Sequence, residues 1–154
     1  MVVPYEEITV IDKEVTVGLT PVTEYGFYVV PSNPDDMVNL LRAKQNGKVP
    51  KILRVRMYYR VEYVRPTPFT VGSGGITIID CYGNEVRPPP VIITVSWDSP
   101  VQEDEVDLSQ YFTCTAPALG LNAVRVDIGP ASDVIPIPTT VYKVKVVMKW
   151  EWGW

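Results

Sequence analysis

Histidine is absent from the chain. Its absence removes the commonest general base at neutral pH, every Ser-His and Cys-His nucleophile pair, and the imidazole ligands of catalytic zinc. Cysteine is scarce. The two present, Cys81 and Cys114, are too few for a four-cysteine zinc site and too widely spaced for a CxxC redox pair. They read as small buried hydrophobes in strands, with a single disulfide as the alternative. No apolar run approaches the roughly 18 to 20 residues that cross a bilayer, so no membrane span is expected. Positive charge is in deficit: 14 Lys and Arg against 18 Asp and Glu leave a net charge of −4. That balance is the reverse of what a nucleic-acid binder carries, and no nucleic-acid partner is expected. The start, Met1-Val2-Val3-Pro4-Tyr5-Glu6-Glu7, lacks the basic opening and apolar centre of a secretion signal, which reads as a cytoplasmic product or an already processed chain. Amides are few as well. Three Gln and five Asn beside 15 Pro suggest a thermophilic source.

What is present is β-structure. From Lys51 to Arg65, Leu53, Val55, Met57, Tyr59, Val61 and Tyr63 alternate with Arg54, Arg56, Tyr58, Arg60 and Glu62, which predicts a long strand with one core face and one wet face. Val141 to Trp152 repeats the pattern, with Tyr142, Val144, Val146, Met148, Trp150 and Trp152 on one side. Shorter β-rich runs at Ile8 to Val17, Tyr25 to Val30, Ile76 to Cys81, Val91 to Trp97, Tyr111 to Thr115 and Ala123 to Ile128 bring the count to about eight. Proline cannot donate to a sheet ladder, so Pro66 to Pro68, Pro88-Pro89-Pro90, Pro117 to Gly120 and Pro136-Ile137-Pro138 are expected in loops. Tyr82-Gly83-Asn84-Glu85 is expected to turn a hairpin. One helix is predicted near 34–46: Asn33 suits the N-cap, Pro34 the first helical position, Asp35 and Asp36 the positive dipole end, and Gly47 the left-handed residue after the helix. Met37, Leu40 and Leu41 would form its packing face, as a lid or plug over the sheets. The whole chain, 1–154, reads as one domain. The expected fold is all-β, an antiparallel two-sheet sandwich of jelly-roll or other Greek-key type, with immunoglobulin-like wiring as the competing sandwich.

Chemistry is thinly represented. Gln102-Glu103-Asp104-Glu105-Val106-Asp107 is the densest run of oxygen ligands, but it lacks the order and the glycine of a calcium loop and reads as a solvated loop. Asp80, Asp98 and Asp127 read as turn-capping residues at strand ends. Gly72-Ser73-Gly74-Gly75 is not followed by the Lys-Ser or Lys-Thr of a phosphate loop and reads as a flexible strand connection. A glycosidase built on two carboxylates needs no histidine, yet nothing specifies two facing acids. No catalytic residue, metal or cofactor is therefore expected.

Contact surfaces are the better candidates. Arg54, Arg56 and Arg60 stand in a row about 7 Å apart at every second residue. Such a row either pairs with acids on neighbouring strands or meets a subunit or polyanion. Residues 1–7 are expected to form an arm in which Val2, Val3 and Tyr5 grip a neighbour. At the other end three tryptophans fall within the last five residues. Trp150 is read as core, whereas Trp152 and Trp154, in a tail at 150–154 expected to overhang its own sheet, are read as contacts with another subunit.

The stretch Lys13-Glu14-Val15-Thr16-Val17-Gly18-Leu19-Thr20-Pro21-Val22 and the Pro136-Ile137-Pro138 approach to Thr139 through Trp152 resemble the small β-sandwich structural proteins of viruses, capsid subunits or capsid-decorating proteins. The resemblance implies a non-enzymatic subunit of a virion, built from symmetric contacts among copies of itself and with another structural protein. The alternative is a carbohydrate- or cell-surface-binding module with stacked tryptophans as its platform.

Overall fold

The computed structural model describes residues 2–18, 20–49, 51–65, 71–79, 83–96, 99–111, 120–129 and 140–153. Eight strands run in chain order as β1 (Val2–Val17), β2 (Val22–Val30), β3 (Lys51–Arg65), β4 (Val71–Ile79), β5 (Glu85–Ser96), β6 (Val101–Asp107), β7 (Gly120–Gly129) and β8 (Thr140–Gly153). A helix, α1 (Pro34–Gln45), lies between β2 and β3, and a short 3-10 turn spans Ser109–Tyr111. Every ladder is antiparallel. One sheet has the order β1-β8-β3-β6 and the other β2-β7-β4-β5. Strand 1 thus pairs with 8, 2 with 7, 3 with 6 and 4 with 5, as though one long hairpin had been wrapped into two layers. This nesting is jelly-roll wiring, and it excludes the immunoglobulin-like alternative.

Period-two patterning builds the core between the layers. Val55, Met57, Tyr59, Val61 and Tyr63 of β3 and Tyr142, Val144, Val146, Met148 and Trp150 of β8 are all buried, facing Ile76, Ile78, Ile93, Val95, Val124, Val126 and Ile128 of the second sheet. Tyr63 meets Tyr142 edge to face at 5.8 Å between ring centres, and Trp150 lies 5.7 Å from Tyr28 of β2. Leu53 departs from the expected core face and stands 49% exposed, because the register slips between Ile52 and Arg54 and leaves it on the bulge.

The helix starts as predicted: the Asn33 side chain accepts from the Asp35 N–H, and Gly47 takes a φ of 74° after the C-cap. Its buried positions are Asp36, Leu40 and Ala43, while Leu41, expected inside, is exposed. In this rotation α1 also turns Asp36 inward, beside Glu6 of β1.

Five expectations are corrected. The acidic run 102–107 is an edge strand, β6, rather than a loop, in register with β3 from Arg56–Asp107 to Glu62–Val101. Pro88-Pro89-Pro90 lie within β5, where they are tolerated because β5 is an edge strand and its ladder to β4 skips from Val91 to Val86 across them. Gly72 to Gly75 lie inside β4, where Gly74 allows β7 to approach so closely that a Cβ there would stand 2.0 Å from the Asp127 carbonyl oxygen. Residues 2–7, expected as an arm, pair with β8 from Val2–Gly153 onward, and the 150–153 tail is flanked by β1 and by β3 up to Gly153. The tail does not overhang, because β1 and β3 are as long as β8. The Gly83 turn joins β4 to β5 as expected, with a φ of 79°. Cys81, Cys114, Asp80, Asp98, Trp154 and most of the expected strand at Tyr111 to Thr115 lie outside the described residues.

Candidate functional site

The two outer faces of the sandwich carry opposite chemistry. On the β1-β8-β3-β6 sheet, the arginine row of β3 lies alongside the acids of β6. Arg56 Nη1 donates to Glu105 Oε1 at 3.0 Å, and Lys149 Nζ of β8 donates to Glu105 Oε2 at 2.8 Å. Arg60 donates to Glu62 at 2.9 Å and stands 3.9 Å from Glu103, and Arg54 stands 3.9 Å from Asp107. The Tyr58 hydroxyl donates to Glu103 at 2.7 Å, and the Lys149 ammonium lies 5.8 Å from the Tyr58 ring centre. Tyr5, expected to grip a neighbour, is 44% exposed and lies under the Arg56 guanidinium at 5.9 Å.

Electrostatics follow the contacts. The Lys149 hydrogen bond first, and then the charges of Lys149 and Arg56, hold the Glu105 carboxyl below the usual carboxylate range. Hydrogen bonds from the Ser109 hydroxyl and N–H do the same for Asp107. The bond to Glu103 raises the Tyr58 hydroxyl. Burial and the bond to Glu7 push Tyr5 up to about 12. The arginine row is thus engaged with acids of its own sheet. At the β1 side of this face a groove of about 220 Å³ is lined by Asp12, Lys13, Glu14, Arg60, Lys143 and Lys145. The ladder sets Asp12 opposite Lys145 and Glu14 opposite Lys143, Lys13 is ion-paired with Glu24 and Arg60 with Glu62, and the groove is smaller than an ordinary ligand pocket.

The β2-β7-β4-β5 sheet presents a different surface. Its polar centre is Arg125 of β7, which donates to Glu85 at 2.9 Å and to Asp127 at 3.0 Å, while Thr23 donates to Asp127 at 2.7 Å. Beside it, every second residue of the edge strand β2 points outward. Tyr25, Phe27 and Val29 are 47%, 62% and 43% exposed, and the Tyr25 and Phe27 rings lie 6.0 Å apart at 17°. The opposite side of β2 holds Gly26 and Tyr28 in the interior. An apolar stripe of this size is seldom left to water without a use.

The four edges also differ. On β5, the prolines remove donors, and the Gln102 side chain covers more of the edge by accepting from Thr94 N at 2.9 Å and donating to Ile92 O at 2.8 Å. β6 is lined with Glu103, Asp104, Glu105 and Asp107, and β1 carries two register shifts. Each is a recognised means of discouraging edge-to-edge pairing. β2 has none of them: nine unbroken rungs to β7, no proline, and one charged residue, Glu24, ion-paired with Lys13. Sequence reading placed this strand but missed its stripe, because Tyr25, Phe27 and Val29 alternate with Gly26, Tyr28 and Val30 and neither side looks wet. The signal was the aromatic pair at i and i+2 opposite a glycine.

Val2, Val3 and Trp152 are placed by backbone alone, in the paired ends of β1 and β8. Among the described residues, no group of three or more His, Cys, Asp or Glu is arranged to hold a metal ion, and no helix is long and apolar enough to cross a membrane.

Fold and surface together define an all-β jelly-roll sandwich with one ion-paired face and one apolar-striped edge. No family model matches the chain, and no curated protein matches it. Its backbone is similar to those of viral capsid proteins among the solved structures. They include the VP2 subviral particle of infectious bursal disease virus, at 9% identity over 96% of this chain and 32% of that one, TM-score 0.49. The structure of the Gx strain of that virus matches at 7% identity over 96% and 31%, TM-score 0.47. The decameric BFDV capsid protein matches at 10% identity over 97% and 100%, TM-score 0.46. The chain spans about a third of the two bursal disease virus chains.

Proposed function

We propose that the protein is a non-enzymatic structural subunit of a symmetric assembly, of the capsid or capsid-decoration kind, working in a virion through contacts with copies of itself and with another structural protein. Jelly rolls serve as viral capsid domains and also as lectin domains, so the fold alone does not choose. The surface favours the subunit. The carrying observation is the exposed stripe of Tyr25, Phe27 and Val29 on the least protected edge strand, while the charged face opposite satisfies itself internally. Aromatic residues concentrate at the centres of protein interfaces, where burying one ring removes about 150 to 250 Å² from water. The thermophilic origin and the contacts of Trp152 and Trp154 belong to the same proposal.

Light scattering on the native protein tests it. Particles of a fixed multiple of the monomer mass are expected. A monomer at every concentration that binds glycans with quenching of its tryptophan fluorescence would transfer the case to a carbohydrate-binding module.

A further inference from the structure

We propose that two copies of the chain join β2 to β2 across a two-fold axis at Gly26, so that the β2-β7-β4-β5 sheet continues from one copy into the other. The inference rests on the structural-subunit reading and names the partner of its contact surface as a second copy. In an antiparallel pair, alternate residues turn their N–H and C=O groups away from the partner strand. Along β2 those groups face the side opposite β7, and no backbone bond from another described segment reaches them. An identical strand supplies the matching donors and acceptors whenever it arrives antiparallel.

The side chains choose the register. With Gly26 on the axis, Tyr25 of each copy falls opposite Phe27 of the other, and Thr23 opposite Val29. The two aromatic cross-strand pairs then sit on the exposed face, and no like charges are set opposite one another; Glu24 falls opposite Tyr28, on the side where Lys13 already holds it. A shift by two residues leaves one aromatic pair, Phe27 or Tyr25 opposite its own copy, in place of two. The small axis residue also fits, because β1 lies so close beneath that a Cβ on Gly26 would stand 2.6 Å from the Val10 carbonyl oxygen.

Area sets the strength. Two half-exposed stripes brought together remove on the order of 500 Å² of apolar surface, since each aromatic offers about 150 to 250 Å² when fully buried. Nine paired residues on each strand bring the total toward the roughly 1,200 Å² at the low end of specific interfaces, which fits a contact of about micromolar strength that a larger assembly multiplies.

Sedimentation and amide hydrogen exchange on the full chain, over roughly 0.1 µM to 1 mM, decide the matter, because that range spans the expected half-dissociation point. Protection confined to alternate amides of β2 and rising with concentration, together with at least a tenfold weaker association of Phe27→Glu, is the expected result. The exposure of Phe27 lets that variant keep its β-sheet spectrum, and exchange on the unaltered chain decides the point if it does not. An oligomer whose β2 amides exchange equally fast at all concentrations, or whose mass is unchanged by Phe27→Glu, overturns the strand pairing and leaves the structural-subunit reading in place. A monomer throughout overturns both.

Discussion

The two sheets solve the same folding problem with different materials. The β1-β8-β3-β6 sheet uses three long strands of 16, 14 and 15 residues and covers its outer face with charges that pair across strands. Strands of nine to twelve residues make up the β2-β7-β4-β5 sheet, which tolerates three prolines at one edge and leaves aromatics bare at the other. A face whose charges neutralise one another is already suited to water. A face that keeps tyrosine and phenylalanine outside gains by being covered. On the proposed reading the first sheet faces solvent and the second a partner, and substitutions on each side should behave differently.

The largest effect is expected within the second sheet. Gly74→Ala places a Cβ 2.0 Å from the backbone oxygen of Asp127, which cannot swing aside as a side chain can. The β4–β7 ladder must open locally, and a loss of about 3 kcal/mol or more in urea unfolding is expected, at or beyond the upper end of ordinary overpacking. Gly75→Ala, whose nearest atom is the Val91 oxygen at 3.1 Å, is the control and should lose less. Equal losses at the two positions would show that the close approach at Gly74 is not what holds the sheet.

How much of this was legible in the sequence depended on burial. Strands β3 and β8 and the helix with its Asn33 cap announce themselves, because one side of each is dry and the other wet. β6 does not, since an edge strand facing water on most sides has little reason to alternate, and Glu103 to Asp107 look like any acidic loop. The prolines of β5 mislead for a related reason: proline argues against a central strand, and an edge cannot be recognised before the sheet order is known. The arginine row was visible as a row, but its partners lie some 45 residues away on β6, and only the nested wiring brings them together. The stripe on β2 was hidden because both sides of that strand are apolar.

A middle-sized effect is expected at the seam where the sheets meet. Glu6 of β1 accepts from Ser32 N at 2.9 Å, Ser32 Oγ at 2.6 Å and Asn33 N at 3.1 Å, fastening the first sheet to the segment that leaves β2. Asp36 is turned in beside it, and burial first, then the Glu6 charge and hydrogen bond, raise the Asp36 carboxyl above its usual range. The folded chain therefore retains a proton there that the unfolded chain releases, so stability falls as pH rises from the ordinary aspartate value of about 4 through the raised one. Asp36→Asn keeps a donor toward Glu6 and carries no charge. It should be the more stable protein at pH 7 by about 1 kcal/mol and should flatten that part of the pH profile. A variant less stable than the parent at pH 7 would mean that the Asp36 charge is needed at the helix start.

The smallest effect is expected on the ion-paired face. Glu105 accepts from both Arg56 and Lys149, so Glu105→Gln removes the centre of the network and leaves two cations without it. All three side chains touch solvent, and water screens what the pairs gain. Because the folded Glu105 carboxyl lies below its unfolded value, the stability it supplies is present above the unfolded value and fades as pH falls through the folded one. At neutral pH and low salt the variant should therefore melt slightly below the parent. That gap should close in about 1 M salt, where charges are screened within about 3 Å, and again at low pH, where the parent loses the same contacts. Association should be untouched by the substitution, in contrast to Phe27→Glu. If Glu105→Gln weakens self-association while the melting temperature stays fixed, the charged face is an interface too, and the division of labour between the sheets fails.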